Sequence, residues 1–271
     1  MASKIEWLAR PGTIPVSWNV VTGCTRCSPG CLNCYAERMS KRLAGRAGYP
    51  EAPHNFDVTL HEDRLGEPLR WKKPRTVFVV SMGDLFHDSV PETYQRAVWG
   101  IMKACPQHTF IVLTKRAQLM KYRLERYVYP LISPPANVWL GVTAENQEMA
   151  DQRIPVLLQI PAAVHFVSVE PMLSEIEIHE YLPMTEQNRR LWQEAGCKSG
   201  MEDGRTLSFV IVGAETGPGK RQMKDEWARD LRNQCYAAGI PFFFKKNNIG
   251  EPYLDEVIYH EWPEVANVPT G

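Results

Sequence analysis

The sequence has no surplus of charge of either sign: 31 Lys and Arg stand against 31 Asp and Glu, a formal net charge of zero. No global field therefore draws the chain to nucleic acid or to a membrane, although a balanced total leaves room for a local basic groove. No apolar run approaches the ~20 residues a membrane span needs, and residues 1–15 lack an apolar core of signal-peptide length. A cytoplasmic protein without membrane contact is the expectation. Low-complexity tracts and fixed-period repeats are also absent. Cysteine is scarce and uneven, with seven residues, four of them inside the segment 24–34. A disulfide framework would be spread more evenly and would come with a secretion signal. The cluster therefore reads as ligands or redox groups, and the scattered Cys105, Cys197 and Cys235 as small buried hydrophobes.

Apolar residues make up 44% of the 271 positions and charged residues 23%, ordinary values for a globular chain able to bury a large core. Candidate strands, rich in β-branched residues, fall at 16–22, 76–82, 109–114, 138–143, 164–169, 208–213 and 241–244. Runs such as Val77-Phe78-Val79-Val80 and Phe209-Val210-Ile211-Val212 are apolar at consecutive positions, as in parallel strands covered on both faces. Helical patterns at 36–43, 91–104, 117–127, 146–158 and 224–238 fill most of the gaps, the last ending at Gly239 as a C-cap. Strand and helix in alternation imply right-handed βαβ units. The expected fold is α/β: one domain over 1–271, a full or partial (β/α) TIM-type barrel of parallel strands with outer helices. An open doubly wound sheet is the alternative that periodicity does not separate from it. Polar excursions are expected at about 45–74 and 174–205, the second partly helical.

In parallel α/β folds ligands sit at the carboxyl ends of the strands. Nearly every candidate strand here runs into a polar group at that end. The first leads to Cys24, the second to Ser81 and Asp84, and the third to Lys115 and Arg116. The fourth reaches Glu145 and Asn146, the fifth Glu170, the sixth Glu215, and the seventh Lys245 and Lys246. Helix caps account for hydroxyl and amide residues at such places. They account less well for Glu170 and Glu215, carboxylates following buried runs, which need a partner or ligand. One shared polar pocket is the economical reading.

The cysteines follow the pattern C-x2-C-x3-C-x2-C: Cys24, Cys27, Cys31 and Cys34, directly after the first strand. Four thiolates this close repel unless a cation neutralises them. Structural zinc uses paired C-x2-C units with a longer spacer than the three residues found here. An iron–sulfur cluster tolerates the tighter loop, because its cysteines ligate different irons.

Cys27-x3-Cys31-x2-Cys34 followed by Tyr35 resembles the signature of the radical S-adenosylmethionine (AdoMet) superfamily. A closer resemblance, to the phage-associated three-Cys-motif family, runs through Trp18-Asn19, Thr22-Gly23-Cys24, Ser28-Pro29-Gly30-Cys31 and Cys34-Tyr35-Ala36-Glu37. It continues in Asp84-Leu85-Phe86-His87, Leu113-Thr114-Lys115-Arg116, Val169-Glu170-Pro171 and the segment 212–219. That family's triad maps to Cys24, Cys31 and Cys34, so the first ligand is contested between Cys24 and Cys27, with Cys24 favoured by the family match. The resemblance implies a [4Fe–4S] cluster and AdoMet as cofactors, and a 5′-deoxyadenosyl radical that abstracts hydrogen. It implies cofactor contacts from Tyr35, Ser81, Asp84, Glu145 and Glu170, with Lys115, Arg116, Asn146 and Glu215 as substrate-pocket candidates. It also implies a reductant such as flavodoxin or ferredoxin, and leaves the substrate open, a nucleic acid or nucleotide and a partner protein among the options. An iron–sulfur redox or nucleic-acid-binding protein that leaves AdoMet intact, and a zinc-stabilised binding module, are the alternatives. The superfamily's Gly-Gly-Glu stretch is replaced by Met82-Gly83-Asp84.

Other signals have plainer readings. The basic runs Arg38–Arg46 and Lys72–Arg75 are expected to be solvated faces or a phosphate-contacting rim. The segment 213–219 is expected to be a tight turn or a close approach to a nucleotide, and Phe242-Phe243-Phe244 a buried last strand.

Overall fold

Seven of the apolar segments lie side by side and all parallel. They are β1 (Ile14–Trp18), β4 (Arg75–Val79), β5 (Thr109–Thr114), β6 (Val138–Thr143), β7 (Val164–Val169), β8 (Phe209–Gly213) and β9 (Phe242–Lys246), in that spatial order. The computed structural model of the chain describes residues 5–183, 185 and 205–264. Alternate residues of the strands other than the edge strand β1 feed two separate cores, which explains the consecutive apolar runs. On β8, Val210 and Val212 join the layer under the helices, while Phe209 and Ile211 join an interior cluster with Trp7, Trp139, Phe166 and Phe243. The sheet curls around that interior cluster as a half-barrel, so of the full or partial TIM-type barrel expected from the sequence it is the partial form. Gly141 on β6 makes room inside it: a Cβ there would lie 2.4 Å from the Phe166 ring.

The helices α2 (Glu92–Ala104), α3 (Ala117–Arg123), α4 (Gln147–Leu158) and α5 (Asp225–Ala238) follow β4, β5, β6 and β8. α5 ends at Gly239 in the left-handed conformation, as its position predicts. The pattern expected as one helix over 117–127 is α3 followed by a π-helical turn, Leu124–Val128.

β1 and β9 are the two edges of the sheet and do not pair. The two ends of the described chain occupy the space between them. Trp7 packs its ring 5.0 Å from Phe78 and accepts at its carbonyl a 2.9 Å bond from Trp262 Nε1. His260 stacks on Phe243 at 4.3 Å.

The first expected strand, 16–22, is in fact two. β1 stops at Trp18, and Val21–Thr22 (β2) turns away to pair antiparallel with Thr59–Leu60 (β3). The break has a local cause: the Asn19 side chain accepts from Ser81 Oγ and from the Met82 amide, both at 3.1 Å. The excursion at 45–74 is accordingly tied down, with Trp18 Nε1 donating to Arg64 O at 2.8 Å and Thr22 Oγ1 bonded to His61 Nε2 at 2.8 Å. Most of the 174–205 excursion, with Cys197 and the turn expected at 200–204, lies outside the described residues. No helix among the described residues is long and apolar enough to cross a membrane.

Candidate functional site: a tethered cysteine loop over the barrel cavity

A cavity of about 730 Å³ opens at the carboxyl ends of the strands. All four clustered cysteines line it, as do Ser81, Asp84, Lys115, Arg116, Glu170 and Glu215. Trp7, Phe78 and Leu113 give it an apolar floor. The polar strand ends thus converge on one space with the cysteine loop at its mouth.

Several of the groups at the strand ends hold the loop. Gly23 begins it at φ +83°, where its amide donates to Met82 O at 2.9 Å; a Cβ would lie 2.2 Å from Asp57 O. From β5, Arg116 Nη1 donates to Cys24 Sγ at 3.2 Å and to Asp84 Oδ2 at 3.1 Å, and Nη2 donates to Thr25 O at 2.9 Å. Asp84 itself is saturated by the Phe86 amide, Thr114 Oγ1 and Arg116. From β6, Glu145 is fully buried and accepts the Gly30 amide at 2.8 Å on one oxygen and Arg153 Nη1 at 2.9 Å on the other. From β8, Glu215 accepts Asn33 Nδ2 at 2.9 Å and a fork from Arg221, whose Nη2 also donates to Pro29 O at 3.0 Å. Burial alone would raise the Glu215 carboxyl; the Arg221 and Asn33 donors more than offset it and hold the pKa at about 2. Burial likewise opposes ionisation of Glu145, and Ser28, Arg153 and the Gly30 amide outweigh it, so its pKa is lowered.

The cysteines differ among themselves. The neighbouring Cys27 thiol lowers the pKa of Cys31 to about 4 despite partial burial, helped by the Lys115 charge and Ser28. The exposed Cys27 itself moves up, beside Cys31 and by burial. Burial and the nearby Asp84 charge raise Cys24 to about 11, against the pull of Arg116. The donor set fits an iron–sulfur cluster: four free thiols on one loop, all facing the cavity. Among the described residues no three His, Cys, Asp or Glu side chains converge as the ligands of one ion do. A cluster whose cysteines bind different irons does not require that convergence.

Two of the expected pocket residues are elsewhere. Glu145 lies behind the loop, and Asn146 is the N-cap of α4, its Oδ1 accepting the Met149 amide at 2.9 Å. Ser81 and Asp84 reach the cavity wall with their polar atoms already engaged. Glu170 faces the cavity in an ion pair with Lys245 at 2.6 Å. Tyr35 is 59% exposed at the start of α1 (Tyr35–Leu43). The segment 213–219 folds against the cysteine loop and α1: Gly219 O accepts from Asn33, and the Arg38 guanidinium fills the place of a Gly217 side chain. Sequence reasoning missed Asn33, Arg153 and Arg221. Only the motif positions of Asn33 and the carboxylates needing partners hinted at them. His87 accepts the Ser89 amide on Nδ1, so Nε2 carries the proton and donates to Thr25 Oγ1 at 2.9 Å.

Fold and site together define a half-barrel α/β protein with a strand-tethered cysteine loop over its cavity. The chain belongs to the family described as "Protein of unknown function (DUF5131)", whose profile it matches over residues 2–256. A comparison with curated proteins found no match. Among solved structures it is similar to a mutant of spore photoproduct lyase, with 14% identity and a TM-score of 0.43. The match covers 87% of this chain and 63% of that one.

Proposed function

We propose that the protein is a radical AdoMet-type iron–sulfur enzyme in which Cys24, Cys31 and Cys34 hold a [4Fe–4S] cluster. The observation that carries this reading is the loop itself, four free thiols held over a barrel cavity by side chains from β5, β6 and β8. Cys24 is favoured over Cys27 as first ligand because Gly23 and Arg116 pin it, whereas Cys27 is exposed. Bound there, the cluster with AdoMet would supply hydrogen-atom abstraction chemistry. The chain's own part is positioning and exclusion. Arg116 offers an N–H to the Cys24 sulfur, and Trp7, Phe78 and Leu113 keep the cavity floor apolar. Glu170 Oε2 has no protein partner among the described residues and is the group best placed to receive the AdoMet ammonium. Tyr35 stands at the rim beside the last cysteine. A flavodoxin- or ferredoxin-like reductant, and a partner protein if one is needed, belong to the same proposal.

The test is anaerobic reconstitution followed by an assay for 5′-deoxyadenosine under dithionite. A brown protein that forms it meets the expectation; a colourless one holding only stoichiometric zinc removes the reading in favour of a zinc-stabilised module. One observation favours a second reading, an iron–sulfur redox or nucleic-acid-binding protein that leaves AdoMet intact. The Ser81 and Asp84 groups expected at the AdoMet amino group are engaged by Asn19, Thr114 and Arg116. An intact cluster with no 5′-deoxyadenosine would establish it.

A further inference from the structure

The ion pairs around the cavity leave two cations over. Asp84 pairs with Arg116, Glu170 with Lys245 and Glu215 with Arg221. Lys115 and Lys246 line the same cavity, partly buried, without an acid in ion-pair reach among the described residues. The remaining lining acid, Glu6, is solvent-exposed beside Trp7 on the floor. Lys115 has an evident task, since its charge acts on Cys31 and Glu145. Lys246 has none.

The backbone is built to bring Lys246 there. In a regular strand, neighbouring residues point to opposite faces. The register between β8 and β9 slips at Gly213: Val212 lies opposite Phe244 and Gly213 opposite Lys246, so Lys245 is the extra residue of a β-bulge. A bulge re-aims side chains, and here both consecutive lysines line the cavity. Glu170 neutralises Lys245 and leaves Lys246 as one net positive charge on that wall.

We propose that this bulge forms a subsite for an oxyanion, a phosphate or carboxylate borne by the substrate, with Lys246 as its principal contact and Lys245 beside it. The substrate is then an anionic small molecule or the phosphate of a nucleotide. Its status as substrate rests on the radical AdoMet reading, whereas the anion subsite stands on its own.

The experiment measures binding of pyrophosphate, succinate and AdoMet to the full chain with its cluster reconstituted, by titration calorimetry. The expected result is that the wild type binds pyrophosphate or succinate, the preferred probe naming the anion. Lys246→Gln should weaken that binding at least about tenfold, and Lys246→Arg should retain most of it, showing that the charge and not the fold is at stake. AdoMet affinity should stay within twofold. Failure of the wild type to bind either probe, or indifference to Lys246→Gln, overturns the subsite. An equal loss of AdoMet affinity overturns it too, because the lysine then serves the AdoMet carboxylate. Absence of 5′-deoxyadenosine with Lys246-dependent anion binding intact would remove the radical reading and leave the subsite.

Discussion

Arg116 joins three parts of the site, the sulfur of Cys24, the carboxylate of Asp84 and the carbonyl of Thr25. Its side chain and that of Asp84 are 10% and 7% exposed, so removing one partner strands a largely buried charge. Arg116→Gln is expected to cost about 3–5 kcal/mol in urea denaturation and to lower iron bound per chain after reconstitution. Unchanged iron content would show that Cys24 needs no such support. Glu215 makes a prediction about acid. Its folded pKa of about 2 lies below the ordinary ~4.3, so its contribution is complete above the ordinary value and disappears as pH falls through 2. In Glu215→Gln the acid limb of the stability curve between about pH 4 and pH 2 should flatten relative to wild type. A parallel decline in both proteins would mean that the Arg221 contact carries no net stability.

At the scale of elements, the cysteine loop is held by contacts made at glycines as well as by ion pairs. Gly30 approaches Glu145 so closely that a Cβ would lie 3.0 Å from its carboxyl carbon, and that carboxylate is itself fixed by Arg153. Gly30→Ala should lift the loop without disturbing the barrel. The expected outcome is less iron per chain with a thermal midpoint within a few degrees of wild type, a loss of about 1 kcal/mol, because the strain falls on a buried glycine of the loop and not on a strand. Collapse of the midpoint would place the loop within the folding core. The candidate site was partly legible at this scale. The strand ends that carry Asp84, Arg116, Glu145 and Glu215 were recognisable because each follows a buried apolar run. Their work was not, since Glu145 meets Gly30 across 115 residues of sequence and Asn33 meets Glu215 across 182. Asn146 was a cap all along, and a strand end followed by a helix looks the same whether its polar residue faces a cavity or an amide.

Over the whole molecule, the half-barrel is completed by the two ends of the described chain. Trp7 lies 3% exposed within the interior cluster, against Phe78 and Phe166, and Trp262 clasps its carbonyl. Trp7→Ala should cost about 3–5 kcal/mol by denaturant unfolding, as for other buried aromatics. A cost below 1 kcal/mol would mean that the terminal segment only rests on the barrel. This closure was not legible in the sequence, because neither terminal stretch has the period of a strand or helix that would mark it as core.

The sequence by itself determined the alternation of buried strands and helices, and with it the parallel α/β class, because burial on both faces writes a continuous apolar run. It also determined that polar chemistry gathers at one end of the strands, since the cysteines and carboxylates stand directly after those runs. Only the tertiary structure decided how that chemistry is divided. It committed Asp84, Glu145 and Glu215 to holding the cysteine loop and left Glu170, Lys245 and Lys246 facing the cavity. Long-range pairs made this division, and a one-residue slip between β8 and β9 turned two successive lysines inward. Neither leaves a mark in local periodicity.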